Sequence, residues 1–414
     1  MWTQEENWID KKEIMRRKEI YTYKYRQTTG KKIVFALTAL LALCLVACDK
    51  ADSECPGGAD GAPRTFLFSY EIPDAETADA SSVKRTSASS VTRTPGTTSS
   101  VGTENVIESV RLLFFERDAY GNGAFVGSLL GEQEGKSLEK VGELAVTLTD
   151  PVSEDVDYNV LVIANADQYI TPADLEAFCR NRTENLVKLE LMPALNGTPV
   201  AGTSHKEFTV PGGCLPMSAS AVKEAGKGMK VTLLRAAVRI DVTTSIPESM
   251  EEVIIEQARI ANIVPAVPLF CDPRTVEGPY LWGAIRKLDK TDATPENEIK
   301  GGLYAMETYN TASSRAELIT RRTCLLVQCH TKSYTGPRNW YRVDINVTDT
   351  ETKGRTMQFL KRNNVYVVQI EGIRGLGVES AEEAYYADAT MIDSVTIPGQ
   401  WNDSGVTPPE VEVN

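Results

Sequence analysis

Apolar and polar positions alternate along much of this chain, and the alternation has the period of β-strands. Phe66, Phe68, Tyr70 and Ile72 interleave with Leu67, Ser69 and Glu71, which predicts a strand over 65–72 with one buried face. Residues 110–116, Val-Arg-Leu-Leu-Phe-Phe-Glu, read as a second buried strand, and Leu144, Val146 and Leu148 mark a third. Tyr158 to Ala164 is an almost unbroken apolar run, the pattern of a strand covered on both faces. One short helix is expected after Thr171-Pro172, with Thr as N-cap, Pro in the first turn, and Leu175 and Phe178 facing inward. Further strands are expected over 231–243, 253–264, 323–330, 341–348, 365–373 and 391–397. In the first of these Val238, Ile240 and Val242 point one way and Arg239, Asp241 and Thr243 the other. Short strands repeated between turn signals indicate an all-β chain of sandwich type. Their number exceeds one sandwich, so a domain boundary is expected at Gly226-Lys-Gly228.

The spacing between the first two strands is unusual. Connections within a sandwich typically span a few residues. Here a Ser-, Thr- and Ala-rich stretch after Pro73 carries basic sites at Lys84-Arg85 and Arg93 before the pattern resumes at Val106. A strand hung on a tether that a trypsin-like protease can cut reads as a strand meant to be removed.

The first 47 residues read as a targeting segment rather than fold. Lys31-Lys32 precede an apolar run from Ile33 to Ala47 that ends in Leu45-Val46-Ala47-Cys48. A basic n-region, a short h-region and a small residue before Cys describe a lipoprotein signal peptide, with Cys48 acylated and Met15 an alternative start. The run is short of the ~20 apolar residues that a membrane-spanning helix needs. Several acyl chains on one cysteine give stable anchoring, and an outer membrane is the expected location.

Charge then narrows the partners. The whole chain carries −13; removing residues 1–47 takes away nine basic and five acidic side chains, which leaves −17. That balance argues against nucleic acid, whose phosphates demand Lys and Arg. Only His205 and His330 are present, in different expected domains, which removes most Ser-His-Asp, Cys-His and zinc arrangements. Gly131-Glu-Gln-Glu-Gly135-Lys136-Ser137 has three residues between its glycines where a phosphate loop has four, and its glutamates repel phosphate. The six cysteines after Cys48 are scattered; Cys324 and Cys329, five apart in one strand, face opposite sides, so packing thiols are expected. No catalytic residue, metal site or cofactor is expected.

In order along the chain, Leu45-Val-Ala-Cys48, Thr65 to Ile72, Glu108 to Glu116, Tyr158-Asn-Val-Leu-Val-Ile-Ala-Asn165, Leu215-Pro-Met-Ser218, Leu234-Arg-Ala-Ala-Val-Arg-Ile-Asp241, Asn262 to Phe270, Leu303-Tyr304, Arg362-Asn-Asn-Val-Tyr366 and Trp401 resemble the signatures of the fimbrillins. These are lipoprotein-derived subunits of type V pili. The resemblance implies two transthyretin-like β-sandwich domains in tandem, over 106–228 and 229–402. A lipidated segment, 48–105, would precede them and a tail, 403–414, follow. It also implies cleavage by an Arg-specific protease at Arg85 or Arg93 and loss of the strand bearing Phe66, Phe68, Tyr70 and Ile72. A strand from another pilus subunit, the same protein or a paralogue, would then fill the groove, giving an adhesive fimbrium on the outer membrane. The tail is a poor match to the strand it would replace, since Pro408-Pro409 interrupt it and only Val411 and Val413 alternate. The alternative is a monomeric outer-membrane lipoprotein that binds glycan or host protein through its sandwich loops. Tyr280 and Trp282, in the loop between Cys271 and Lys300, would then stack on a sugar, against the plainer expectation that they pack inside.

Overall fold

The computed structural model describes residues 64–73, 104–132, 141–201, 203–210, 214–245, 251–267, 269–270, 279–288, 297–311, 319–345, 357–387 and 389–399. The signal segment, Cys48, the 74–103 stretch with Arg85 and Arg93, and the tail lie outside them.

Among the described residues, ten strands precede residue 236. They are β1 (Thr65–Glu71), β2 (Val110–Glu116), β3 (Phe125–Glu132), β4 (Val141–Thr147), β5 (Tyr158–Ala164), β6 (Thr198–Pro199), β7 (Lys206–Phe208), β8 (Met217–Lys223), β9 (Met229–Thr232) and β10 (Leu234–Arg235). Eight of them form one sheet in the order β10-β8-β5-β2-β3-β4-β1-β9. Its two ends are consecutive in sequence, with only Leu233 between β9 and β10. The segment 229–235 therefore lies along β1 with its first half and along β8 with its second. The sheet closes on itself, and closure removes the edges that an open sheet leaves unpaired. Inside it, Phe66, Phe68, Tyr70 and Ile72 pack with Leu112, Phe114, Val160, Val162, Met229, Val231 and Leu233.

The alternation explains which strands sit where. β1 shows strict alternation of buried and exposed or half-buried positions, as a strand with one covered face must. β5 is buried at every position. Its second face, with Leu161 and Ile163, meets Leu113 and Phe115 of β2 and two short helices, α1 (Pro172–Cys179) and α2 (Glu184–Glu190). Thr171 caps α1 by accepting from the Asp174 amide, and Leu175 is buried, as expected. α2 was not legible in the pattern, although Thr183 caps it in the same way.

The remaining strands are β11 (Ala237–Thr244), β12 (Val253–Ala261), β13 (Trp282–Gly283), β14 (Arg286–Lys287), β15 (Tyr304–Met306), β16 (Thr308–Thr311), β17 (Cys324–Thr331), β18 (Asn339–Asp344), β19 (Met357–Leu360), β20 (Val365–Ile373) and β21 (Ile392–Gly399). Two four-stranded sheets, β15-β11-β20-β21 and β14-β12-β17-β18, make up most of this half. A third helix, α3 (Ala381–Tyr386), starts at a capping box made by Ser380 and Glu383. The chain is thus all-β with short helical insertions. The strand expected over 231–243 is three strands, and the first two, β9 and β10, complete the first sheet although they follow Gly228. One apolar cluster runs from Leu113 of β2 through Ile240 of β11 and Val343 of β18 to Ile392 of β21.

Candidate functional site

The candidate site is the groove that holds β1. Its seven residues pair antiparallel with β4, Phe66 opposite Val146, Phe68 opposite Leu144 and Tyr70 opposite Gly142. On its other side β1 runs parallel to β9, with Phe68 beside Met229 and Tyr70 beside Val231. All four inward side chains are buried, whereas Leu67 on the outer face is 51% exposed. The Phe66 ring stands edge-on to Phe114 at 6.4 Å between centroids, and the Phe68 and Tyr70 rings lie 6.3 Å apart. On the outer face Glu71 pairs with Lys230 at 3.0 Å and accepts from the Thr232 hydroxyl, which together hold its carboxyl below the usual range.

Three features of the groove were not legible in the sequence. Gly142 carries no side chain where the Tyr70 ring lies, and a Cβ built there would come within 2.5 Å of Tyr70 Cζ. A glycine inside a strand commonly marks such a close approach. Lys223 is fully buried, its ammonium donating to the carbonyls of Glu154 and Glu224 at 3.2 and 3.3 Å while it faces the Phe66 ring 5.5 Å away. Arg235 closes the far end: its guanidinium donates to the Pro73 carbonyl (3.1 Å), the Glu104 carbonyl (3.3 Å), Asn363 Oδ1 (2.7 Å) and Asn105 Oδ1. Both ends of the 74–103 stretch therefore meet at one buried cation.

Beyond that stretch the chain is fastened independently of β1. Glu104 is wholly buried, accepts from Arg239 Nη1 at 2.8 Å and from the Tyr304 hydroxyl at 2.6 Å, and Arg239 also donates to Asp241 at 3.0 Å. Burial raises the Glu104 carboxyl's pKa, and the Arg239 charge offsets this only in part. Burial works against the Arg239 cation too, but Asp241 and then Glu104 outweigh it and raise its pKa. The Tyr304 hydroxyl is pushed up by burial first and by Glu104 second. Val106, two residues on from Glu104, is held by Asn165, which at φ 59° just past β5 donates to the carbonyls of Val106 and Leu215 at 2.6 and 2.9 Å and accepts from the Glu108 amide. Arg239 and Asp241 do face away from Val238 and Ile240, yet that face is covered rather than solvated.

The aromatic pair Tyr280 and Trp282 sits elsewhere and packs inside the fold, the plainer of the two expectations. Trp282 is 1% exposed: its indole stacks on His205 at 4.0 Å, with the Arg259 guanidinium 4.8 Å from its ring and Tyr385 at 5.4 Å. Tyr280 packs, partly buried, against the large apolar cluster. A tryptophan occupied on its face inside the fold has no surface left to offer a sugar. The two histidines each lie 3.3 Å from a carboxylate, His205 from Glu382 and His330 from Glu256. Cys179, Cys214, Cys324 and Cys329 are buried thiols outside any disulfide, and burial lifts the Cys179 and Cys324 thiols to about 12. Among the described residues no group of three or more His, Cys, Asp or Glu is placed to hold a metal ion. Nor is any helix among them long and apolar enough to cross a membrane.

Among solved structures the chain is similar to the tip fimbrial protein Mfa3 from Porphyromonas gingivalis with C-terminal truncation, at 13% identity and a TM-score of 0.45, covering 82% of this chain and 100% of that one. It is also similar to a fimbrial assembly protein from Parabacteroides distasonis, at 14% identity and a TM-score of 0.36, covering 83% of this chain and 99% of that one. No curated protein matches the chain. Residues 80–238, however, match the family model of the major fimbrial subunit protein, FimA. Over that region, from within the stretch that follows β1 to the first residues of β11, the chain is similar to the fimbrial subunit, in keeping with its resemblance to the fimbrillins.

Proposed function

We propose that this protein is a structural subunit of a cell-surface fimbrium. It is exported as a lipoprotein acylated at Cys48, cut at Arg85 or Arg93, and joined to its neighbours by strand exchange. Its two sandwiches stand in tandem and serve assembly and adhesion rather than catalysis. The observation that carries this is the seating of β1: its inward side chains and Ile72 just after it are buried, the sequence of residues 74–103 that follows holds both basic sites, and the chain beyond them is fastened at Glu104 and Val106 without it. Burying those four side chains contributes about 6–12 kcal/mol before entropy, at roughly 1.5–3 kcal/mol each. Without β1, β9 loses its ladder partner, β4 keeps only its pairing with β3, and the interior opens to water. A strand from another subunit repairs both defects, main-chain bonds supplying affinity and alternate side chains fit. Donor and groove lie on different surfaces, so the contact repeats head to tail. The alternative, binding of glycan or host protein through the loops, does not have Trp282 to stack on a sugar, because that ring is buried.

The test is processing. Wild-type protein, extracted from cells without boiling, is expected to run as an SDS-resistant ladder and to begin, by N-terminal sequencing, after residue 85 or 93. The Arg85→Ala, Arg93→Ala double variant is expected as a single unprocessed band. A normal ladder from that variant would remove the scheme.

A further inference from the structure

The geometry points to a specific partner for the groove: a strand with aromatic residues four positions apart around a bulky apolar one, carried by a different protein species rather than by a processed copy of this chain. The inference rests on the strand-exchange reading and deepens it by naming the partner's chemistry. Each alternate position of β1 meets a different wall. The Phe66 position faces a buried ammonium, Lys223, and the edge of Phe114. A ring satisfies such a cation at no cost in volume, whereas an aliphatic side chain leaves it against a face without a quadrupole. The Phe68 position lies between Leu144 and Met229, which any bulky apolar side chain fits. The Tyr70 position lies over Gly142, and the absence of a Cβ there makes a slot whose floor is backbone. A small aliphatic residue would leave that slot partly empty, and an empty slot forfeits packing. At the end of the strand Arg235 takes the Pro73 carbonyl, so the partner must also run one residue past its last inward side chain.

This wall pattern excludes the processed copy. Between residues 104 and 414 no two aromatic residues stand four apart in the sequence. β21 and the residues that follow it contain one aromatic, Trp401, whose alternate neighbours are Gly399 and Asp403. Once β1 is gone, then, no other stretch of the remaining chain repeats the aromatic spacing of Phe66 and Tyr70.

The experiment uses the full chain, nicked by an Arg-specific protease, separated from its first strand in denaturant and refolded, and fluorescent nonapeptides with the sequence of residues 65–73. The wild-type peptide is expected to enter the emptied groove. The Tyr70→Ala peptide is expected to bind roughly 10–100-fold more weakly, the ratio that one large buried side chain supports. In a chain carrying Gly142→Ala together with Tyr70→Ala, so that its own strand still seats, the preference should invert in favour of the Tyr70→Ala peptide. Nicked protein alone, freed of its first strand and held at high concentration, is expected to form no ladder. Equal affinity for all peptides in both grooves, or a ladder from the nicked protein alone, would overturn the inference while leaving strand exchange intact. If even the wild-type peptide never enters, strand exchange itself fails.

Discussion

At the level of single residues, the inward face of β1 was legible because period-2 alternation is a strong local signal, and Phe66, Phe68, Tyr70 and Ile72 all lie where it places them. The charged residues that fasten the groove were not legible. Arg239 and Asp241 read as the polar side of a half-solvated strand, because sequence gives the direction of a side chain but not what covers it. Glu104, which covers them, is 135 residues away. Two predictions belong here. Phe68→Ala removes a fully buried ring and is expected to lower stability by about 3–5 kcal/mol, measured by denaturant unfolding of the unprocessed protein. Glu104 gives a pH signature. Its folded pKa is raised above the ordinary 4.5, so the native state holds the proton more tightly than the unfolded chain does. Stability from this group is therefore fully present below pH 4.5 and is lost as pH rises through the folded value. Thermal melts across that window should show the wild type losing stability relative to Glu104→Gln as pH increases; a constant difference between the two would contradict the assignment.

Elements show a different balance of legible and hidden. The boundaries of β20, Val365–Ile373, agree with the alternation, and β12 and β17 differ from it by at most three residues at either end. The single strand expected over 231–243 is divided because its first residues serve one sheet and its last another, a division fixed by pairing partners and not by local pattern. The helices α2 and α3 escaped notice because each spans two turns at most, too few for a 3.6-residue period to stand out. Only the cap residues, Thr183 and the Ser380–Glu383 box, announce them. The most consequential element remains β1, which is bonded on both edges. Cutting the chain between 74 and 103 breaks none of those bonds, nor those of Glu104 and Asn165 on the far side. Nicked protein is accordingly expected to keep its first strand: the two fragments should co-elute in native size exclusion and separate only in denaturant. Spontaneous separation after the cut would mean that the strand is held far more weakly than its burial implies.

For the molecule as a whole, the decisive feature is that the apolar cluster does not stop at the junction between the first closed sheet and the later ones. Leu161 and Ile163 of β5 share it with Val238 and Ile240 of β11 and with Val365 and Val368 of β20. Sequence could not reveal this, since the doubly apolar pattern of β5 says that both faces are covered without saying by what. A cluster drawing on both halves couples their unfolding, because opening either half exposes side chains that the other has buried. The expectation is one cooperative thermal transition for the unprocessed protein, with calorimetric and van't Hoff enthalpies in agreement. Leu161→Ala should move that single transition down as a unit, at a cost of about 2–5 kcal/mol. Phe68→Ala, placed in the interior of the first sheet alone, should move it as well, because the first sheet cannot open without baring Leu161 and Ile163. Two resolved transitions, with Phe68→Ala shifting only one, would instead make the halves energetically independent, and a groove emptied of β1 would then loosen the first half while leaving the second intact.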